Sequence, residues 1–355
     1  MVQRQDEKGL GIKIDVLDIS RLVESEEKAI REVLQKAENA TVFHSLEWNA
    51  VLAKEFGVRS KTLLVWVDGV PMGMYNYHTR QVGIYFKECR SPFSHLESVY
   101  GGPIAPPDNS MVLTALLRGV EEIERGAIYY MVTTPRYDPQ MLAEMGYKYV
   151  PIYTSILSLQ RTEEALWMGM DGKTRNMVRK AMKKGVSIVE GNAADVGTYY
   201  AMLAETLGRS GKHPLPQTYY ERVVAQLGPK GMAKMLVAKY KDKIVAGAIF
   251  LCFKDTVYYW SGASFREYRD VAPNDLIQWE IIKWANANGY RYYDLLRIEP
   301  DRLPGIAVFK MGFGGNTVTL YSAVKRTALG QGVRIWQFIT SPKKMLSRLN
   351  EGLGR

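Results

Sequence analysis

The sequence predicts an α/β protein of the α+β kind, built from two tandem copies of one unit with mixed sheets flanked by helices. Three observations predict it. The chain has 355 residues, enough for two ordinary domains, and its 46% apolar and 24% charged residues are the composition of a chain that buries a core. The two halves carry the same kinds of element in the same order. The landmarks of that order recur at nearly constant offsets: 174 residues from Asp68 to Asp242, 160 from Gly102 to Gly262, 163 from Gly126 to Gly289 and 166 from Gly146 to Gly312.

In the first half, Ile12 to Leu17 reads as a strand and the acidic stretch Ser20 to Ala40 as a helix. A second helix after Trp48 runs to Phe56 and stops at Gly57. Leu63 to Val67 and Val70 to His78 are apolar runs around Asp68-Gly69, a hairpin signal. Met111 to Arg125 is a helix stopped by Gly126, and Ala127 to Thr133 a strand. The second half repeats the series. Leu236 to Tyr240 and Ile244 to Phe253 flank a Lys241-Asp242-Lys243 turn. Val257 to Ala263 is a strand, Asp275 to Asn288 a helix stopped by Gly289, and Tyr290 to Leu295 a strand. The boundary is expected near Val150-Pro151, giving domains 1–155 and 156–355.

Composition excludes several classes of function. Two cysteines, Cys89 and Cys252, are too few for a disulfide framework or a thiolate zinc site. None of the four histidines stands at metal-ligand spacing from another, so a His-rich metal site is not expected; no cofactor is called for. The longest strongly apolar run, Ile244 to Phe253, is about half a bilayer span and reads as a buried strand. The first residues lack the apolar core of a signal peptide, so a soluble, cytoplasmic chain is expected. The net charge of +10 is uneven. Residues 1–150 hold 17 basic and 20 acidic residues, and residues 151–355 hold 30 and 17. A basic second half points to a polyanionic partner, with a mere solubility charge as the plain alternative.

The repeated unit consists of a helix, antiparallel strands and a strand–helix–strand crossover. That is the element order of the N-acetyltransferase (GNAT) fold, in which a ligand lies where the central strands part. In acetyl-CoA enzymes of this fold, a glycine-rich loop before the main helix offers backbone N–H groups to the pyrophosphate. The equivalent stretch here, Gly262 to Asn274, has no glycine after Gly262, and Pro273 removes one donor. The acyl donor is therefore expected not to be CoA.

Five strings in order carry a family resemblance: Phe43-His-Ser-Leu-Glu-Trp48, Lys173 to Val186, Gly247 to Ala263, Ala272 to Trp279, and Tyr293-Asp294 with Val308 to Phe313. Together they resemble the FemABX aminoacyltransferases, which extend peptidoglycan peptides using aminoacyl-tRNA. The resemblance covers about Thr41 to Tyr321, and the chain looks like the short form, without the helical hairpin some members insert. It implies two GNAT-like domains, an acceptor groove and an aminoacyl-tRNA end approaching the second domain. It implies that Lys310, after Phe309, serves aminoacyl transfer by standing beside the tetrahedral oxyanion. The plain reading of Lys310 is a strand-end lysine reaching past Phe309.

The acceptor site the family implies departs here. Tyr219 matches a family tyrosine, but Leu215 stands where some members have an arginine, leaving Lys212 or His213 to supply the charge. Trp260 replaces a second acceptor-site tyrosine, and Lys54 is displaced from a family lysine. Tyr258, Tyr259 and Trp260 cannot all line one groove, since neighbours on a strand face opposite ways. Asn274, after Pro273, reads as a helix N-cap first and a ligand second.

Lys173 to Lys184 holds six basic residues in twelve. On a helix Arg175, Arg179 and Lys183 form one ridge, and with Lys173 they are the candidate contacts for tRNA or phosphate; a solvated face is the alternative. The basic stretch Lys325 to Arg355 reads as a weak membrane-surface or tRNA contact, or as a plain terminal helix. The leading function is aminoacyl transfer from tRNA to an amine of a cell-wall or similar peptide precursor, lipid-linked or not, in the cytoplasm, with transient contact at the inner membrane face as an added option. The alternatives are an N-acyltransferase acting on a sugar or exopolysaccharide precursor, and a non-catalytic anion-binding module.

Overall fold

The computed structural model describes residues 2–5, 11–82, 86–93, 99–106, 109–135, 137–209 and 211–326. The basic stretch beyond Arg326, with its membrane or tRNA reading, lies outside the described residues. The first half comprises β1 (Val2–Gln5), β2 (Gly11–Asp18), α1 (Glu24–Lys36), α2 (Leu46–Phe56), β3 (Ser60–Val67), β4 (Val70–Val82), β5 (Phe86–Ser91), β6 (Pro103–Ile104), α3 (Ser110–Ile123), β7 (Ile128–Val132) and α4 (Pro139–Glu144). There follow β8 (Lys148–Ser158), α5 (Glu163–Gly169), α6 (Gly172–Lys183), β9 (Ser187–Gly191), α7 (Val196–Gly208), α8 (Gln217–Leu227), β10 (Ala233–Tyr240), β11 (Lys243–Phe253), β12 (Thr256–Ser264), α9 (Pro273–Ala287), β13 (Tyr292–Ile298), α10 (Pro304–Met311) and β14 (Asn316–Arg326). No helix among the described residues is long and apolar enough to cross a membrane.

Local chemistry accounts for the element ends. Ser45 caps α2 by accepting the Trp48 N–H at 3.1 Å, and Gly57 ends that helix at φ 63°. Pro273 and Pro304 stand in the first turns of α9 and α10, where a missing N–H costs nothing. This start makes Lys310 a residue of a helix's last turn, where a strand end was expected. Asn274 is not the N-cap of α9. Ala272 holds that place with φ 51°, and the Asn274 amide donates instead to the Ser264 hydroxyl at 2.9 Å.

The chain divides into two compact units, and the division differs from a simple tandem. One unit takes residues 1–39, 59–150 and those from Tyr321; the other takes Ala40–Val58 and Pro151–Leu320. The segment carrying Phe43 and Trp48 thus belongs to the second unit, although it precedes most of the first. Its aromatic rings explain why: Trp48 is fully buried, 5.6 Å from Trp260, and Phe43 lies 6.0 Å from Tyr258. The Glu55 carboxylate then fixes α2 to α8 through the Arg222 guanidinium at 2.9 Å and the Thr218 hydroxyl at 2.5 Å.

In the first unit the strands run β1-β2-β3-β4-β5-β7, and β14 lies antiparallel to β7 with Ser322 opposite Val132. The β5–β7 pair is parallel and α3 makes the crossover, burying Val112, Leu116, Leu117 and Val120. In the second unit the order is β8-β13-β12-β11-β10-β9. There β12 and β13 are parallel, with α9 as the crossover. Each unit is therefore antiparallel strands followed by one parallel pair, as the repeated landmarks require. The last strand of each copy is exchanged. β8, which follows the first copy in sequence, lies against β13, and β14, which follows the second, lies against β7.

Candidate active site

The parallel pair is where a fold of this kind can open, and the two units treat it differently. In the first, the chain's own backbone fills the ends of β5 and β7. Gly101 donates to the Val132 carbonyl at 2.9 Å and Gly102 to the Ser91 hydroxyl at 2.9 Å. A Cβ at Gly101 would stand 2.4 Å from backbone atoms of Ser91 and Pro92, so glycine is required for that approach. In the second unit, β12 and β13 pair only from Thr256↔Tyr292 to Tyr258↔Asp294, although both strands run on. Beyond that point they part, and polar side chains gather at the opening.

Tyr259 leads the group. It is half-buried, with its ring 5.8 Å from Phe250. Its ring leans along β12 over Gly262, where any Cβ would lie 2.2 Å from the phenol oxygen. The glycine that opens the expected phosphate loop is thus what makes room for Tyr259. The Lys310 Nζ lies 5.6 Å from the centroid of that ring and donates to the Arg297 carbonyl at 2.9 Å. Phe309 packs at the core edge, 5.3 Å from Phe313, and anchors the helix that carries Lys310. Burial pulls the Lys310 ammonium down to about 8, against the charges of Asp294 and Glu299, which favour the proton.

Asp275, in the first turn of α9, acts on Tyr259 through its charge. Burial raises its carboxyl to about 6, opposed by a backbone hydrogen bond and the charge of Lys173. Desolvation chiefly, with the Asp275 charge added, pushes the Tyr259 phenol up to about 12. A cation and a carboxyl with displaced proton affinities thus both act on one phenol, Lys310 over its ring and Asp275 through its charge, a pattern of acid–base sites. Sequence reading missed Asp275. Its signal was an acidic residue in the first turn after a loop that should have held phosphate.

The loop before α9 is a short 3-10 turn, Arg266–Val271, with Tyr268 packed on Tyr240 at 6.2 Å. Pro273 supplies no N–H, and the Asp275 carboxylate occupies the helix's first turn. An anionic pyrophosphate would meet like charge there.

The expected acceptor residues lie elsewhere on β12. The register against β11 shifts there: Ser261 lies opposite Ile249 and Tyr259 opposite Phe250, so Trp260 is the extra residue of a bulge that re-aims its ring. Trp260 packs toward α2 and α8, 5.6 Å from Trp48 and 5.7 Å from Tyr220, while Tyr259 points to the other side of the strand. Tyr219 is fully buried, 5.6 Å from Trp260 and 5.0 Å from Phe56. It is a brace for Trp260 and offers no surface to a ligand, a correction to its expected role. Lys212 and His213 are exposed in the loop between α7 and α8. The structure therefore brings Lys310 and Phe309 to Tyr259, holds Asn274 on Ser264 at the end of β12, and turns Trp260 to the other face of that strand.

The basic ridge on α6 is also altered. Arg175 donates to the Met168 carbonyl at 2.9 Å and to that of Met170, closing the α5–α6 turn. Arg179 lies over Trp167 at 5.1 Å, and Lys173 and Lys183 are exposed. The helix packs on α9, which brings Lys173 within electrostatic reach of Asp275.

A family described as "Acetyltransferase (GNAT) domain" matches residues 172–311, the stretch that holds the opening. The chain is similar to the lipid II:glycine glycyltransferase of Staphylococcus epidermidis, 21% identical over 277 residues. That match covers 54% of this chain and 66% of the relative, so the chain spans just under two thirds of that protein's length. Among solved structures it is similar to FemX, with a TM-score of 0.69 and 18% identity over 87% of this chain and 96% of that one. It is also similar to a tandem GNAT protein from the clavulanic acid biosynthesis pathway, with a TM-score of 0.54 and 12% identity over 88% and 98%. The fold is that of tandem GNAT-like proteins.

Proposed function

We propose that this chain, a member of the FemABX family, is an aminoacyltransferase that moves an amino acid from aminoacyl-tRNA to an amine of a peptidoglycan peptide precursor. The observation that carries the reading is the Lys310 ammonium held at the parted strands over Tyr259. In the proposed step the acceptor amine attacks the ester carbonyl and a C–N bond forms. The carbonyl oxygen gains negative charge, which Lys310 stabilises as it grows. Asp275 takes the proton the amine gives up. The C–O bond to the ribose then breaks, and the ribose oxygen leaves with that proton. A similar relative is named for lipid II, which supports a lipid-linked acceptor met from the cytoplasmic face of the membrane. The test is incubation with charged tRNAs and lipid II or its soluble precursor, followed by mass spectrometry. Acceptor gaining one amino-acid residue supports the reading, and acceptor unchanged with every charged tRNA refutes it.

The GNAT match keeps an acyl-CoA donor as the rival. The acidic, proline-started turn of α9 argues against it. Calorimetric titration with CoA is expected to give no pantetheine-dependent binding tighter than millimolar, and tight binding would revive the rival. Donor contact is assigned to Lys173, Arg179 and Lys183. Reversing these three to glutamate is expected to weaken tRNA binding. The slope of log affinity against log salt should fall by about one for each phosphate the variant no longer neutralises. An unchanged slope would make the ridge a solvated face. Arg175 is left out of that variant because its loss would open the α5–α6 turn.

A further inference from the structure

Asp294, which follows the buried Tyr293 on β13, carries a carboxylate that organises the backbone holding Lys310. It is 2% exposed, on the β13 side of the opening. Between Asp294 and Arg297 the register of β13 against β8 shifts: Asp294 lies opposite Ile156 and Arg297 opposite Thr154. Three residues advance on one strand for two on the other, which is a bulge. At its centre Leu296 takes φ 57°, a left-handed conformation that a branched apolar residue adopts only when its surroundings impose it. Asp294 imposes it. One oxygen, Oδ1, accepts the Leu296 N–H at 2.8 Å and the Thr154 hydroxyl at 2.6 Å, so a single carboxylate ties both strands across the bulge. The residue after the bent one is Arg297, whose carbonyl receives the Lys310 Nζ.

We propose that Asp294 is a positioning residue: through the bulge at Leu296 it aims the Arg297 carbonyl at Lys310 and so fixes the ammonium over Tyr259. It acts through Arg297 and makes no contact with the reacting atoms. It also supplies charge. The charged groups facing Lys310 are Asp294 and Glu299 on the β13 side, the latter shared with the Arg297 guanidinium at 2.7 Å and Arg302 at 3.8 Å. From β12 there is Tyr259, itself under the field of Asp275. Burial disfavours the ammonium; Asp294 and Glu299 favour it.

The role as an aid to catalysis rests on the aminoacyl-transfer reading, but the coupling to Lys310 does not. Competitive labelling of the full chain with acetic anhydride across pH, read by mass spectrometry at Lys310, reports that amine's own proton affinity. Asp294→Asn keeps an acceptor oxygen for Leu296 and Thr154 and removes the charge. Its Lys310 midpoint is expected to drop by about one pH unit. Asp294→Ala removes both the charge and the two bonds. It is expected to lower kcat at least tenfold with KM within twofold, and to lower the midpoint as well. The Lys310 midpoint is expected to fall further in Asp294→Ala than in Asp294→Asn, because only the alanine removes the bonds that aim the Arg297 carbonyl; a midpoint no lower in Asp294→Ala than in Asp294→Asn overturns the proposal. Should Asp294→Ala fail to fold, Thr154→Val decides: it removes one of the two bonds and leaves the charge, and a Lys310 midpoint equal to that of the unaltered chain overturns the proposal. If the alanine midpoint falls below the asparagine one while Lys310→Ala transfers normally, the positioning stands and the catalytic reading of Lys310 falls.

Discussion

Replacing Lys310 by alanine is expected to slow aminoacyl transfer by about 10²–10³-fold, the scale on which one oxyanion donor acts. The ammonium would interact with the carbonyl oxygen chiefly once negative charge develops, so the loss should fall on the chemical step and leave acceptor and tRNA affinity nearly unchanged. Folding should change by only about 1 kcal/mol. The lysine is half-buried, and its hydrogen bond to the Arg297 carbonyl sits at an opening that water can reach. Lys310→Arg should restore little. A guanidinium spreads its charge over a planar fork and is too wide to keep the same seat between Tyr259 and the Arg297 carbonyl. Single-turnover transfer with each variant, beside a melting curve, is the measurement. Full activity in Lys310→Ala would remove this residue from the mechanism.

Asp275→Asn is expected to cost about 10²-fold or more in the same assay, the range for a lost general base. The pH profile separates that role from a structural one. The proton-accepting form of Asp275 is the carboxylate, and burial has raised its carboxyl to about 6, so activity should be lost as pH falls through about 6. In the proposed step the working form of Lys310 is the ammonium, drawn down by burial to about 8, so activity should be lost again as pH rises through about 8. The wild-type profile is therefore a bell with limbs near 6 and 8, after subtraction of spontaneous ester hydrolysis. Asp275→Asn should lose the acid limb and keep the alkaline one. Lys310→Ala should do the reverse. An Asp275→Asn profile that keeps its acid limb would assign that limb to the substrate.

The sequence by itself determined the repeated unit. Apolar runs around Asp68-Gly69 and Lys241-Asp242-Lys243 are hairpins because those turns contain residues at positive φ, and glycines such as Gly126 and Gly289 end the crossover helices for the same reason. These are local facts, so a linear reading finds them. It also named Lys310 and Phe309, by resemblance, and it read Pro273 as hostile to phosphate from chemistry alone. Tertiary structure decided what depends on partners distant in sequence. Trp48 joins the second unit because its ring fits against Trp260 and Tyr219, and no local pattern records that choice. Tyr219 is buried and Arg175 bound to carbonyls because neighbouring chain claims them first. Asp275 becomes a candidate base because packing of α6 on α9 and the lean of Tyr259 over Gly262 set its surroundings. A carboxylate's proton affinity is a property of its surroundings, and those exist only after the strands have paired and parted.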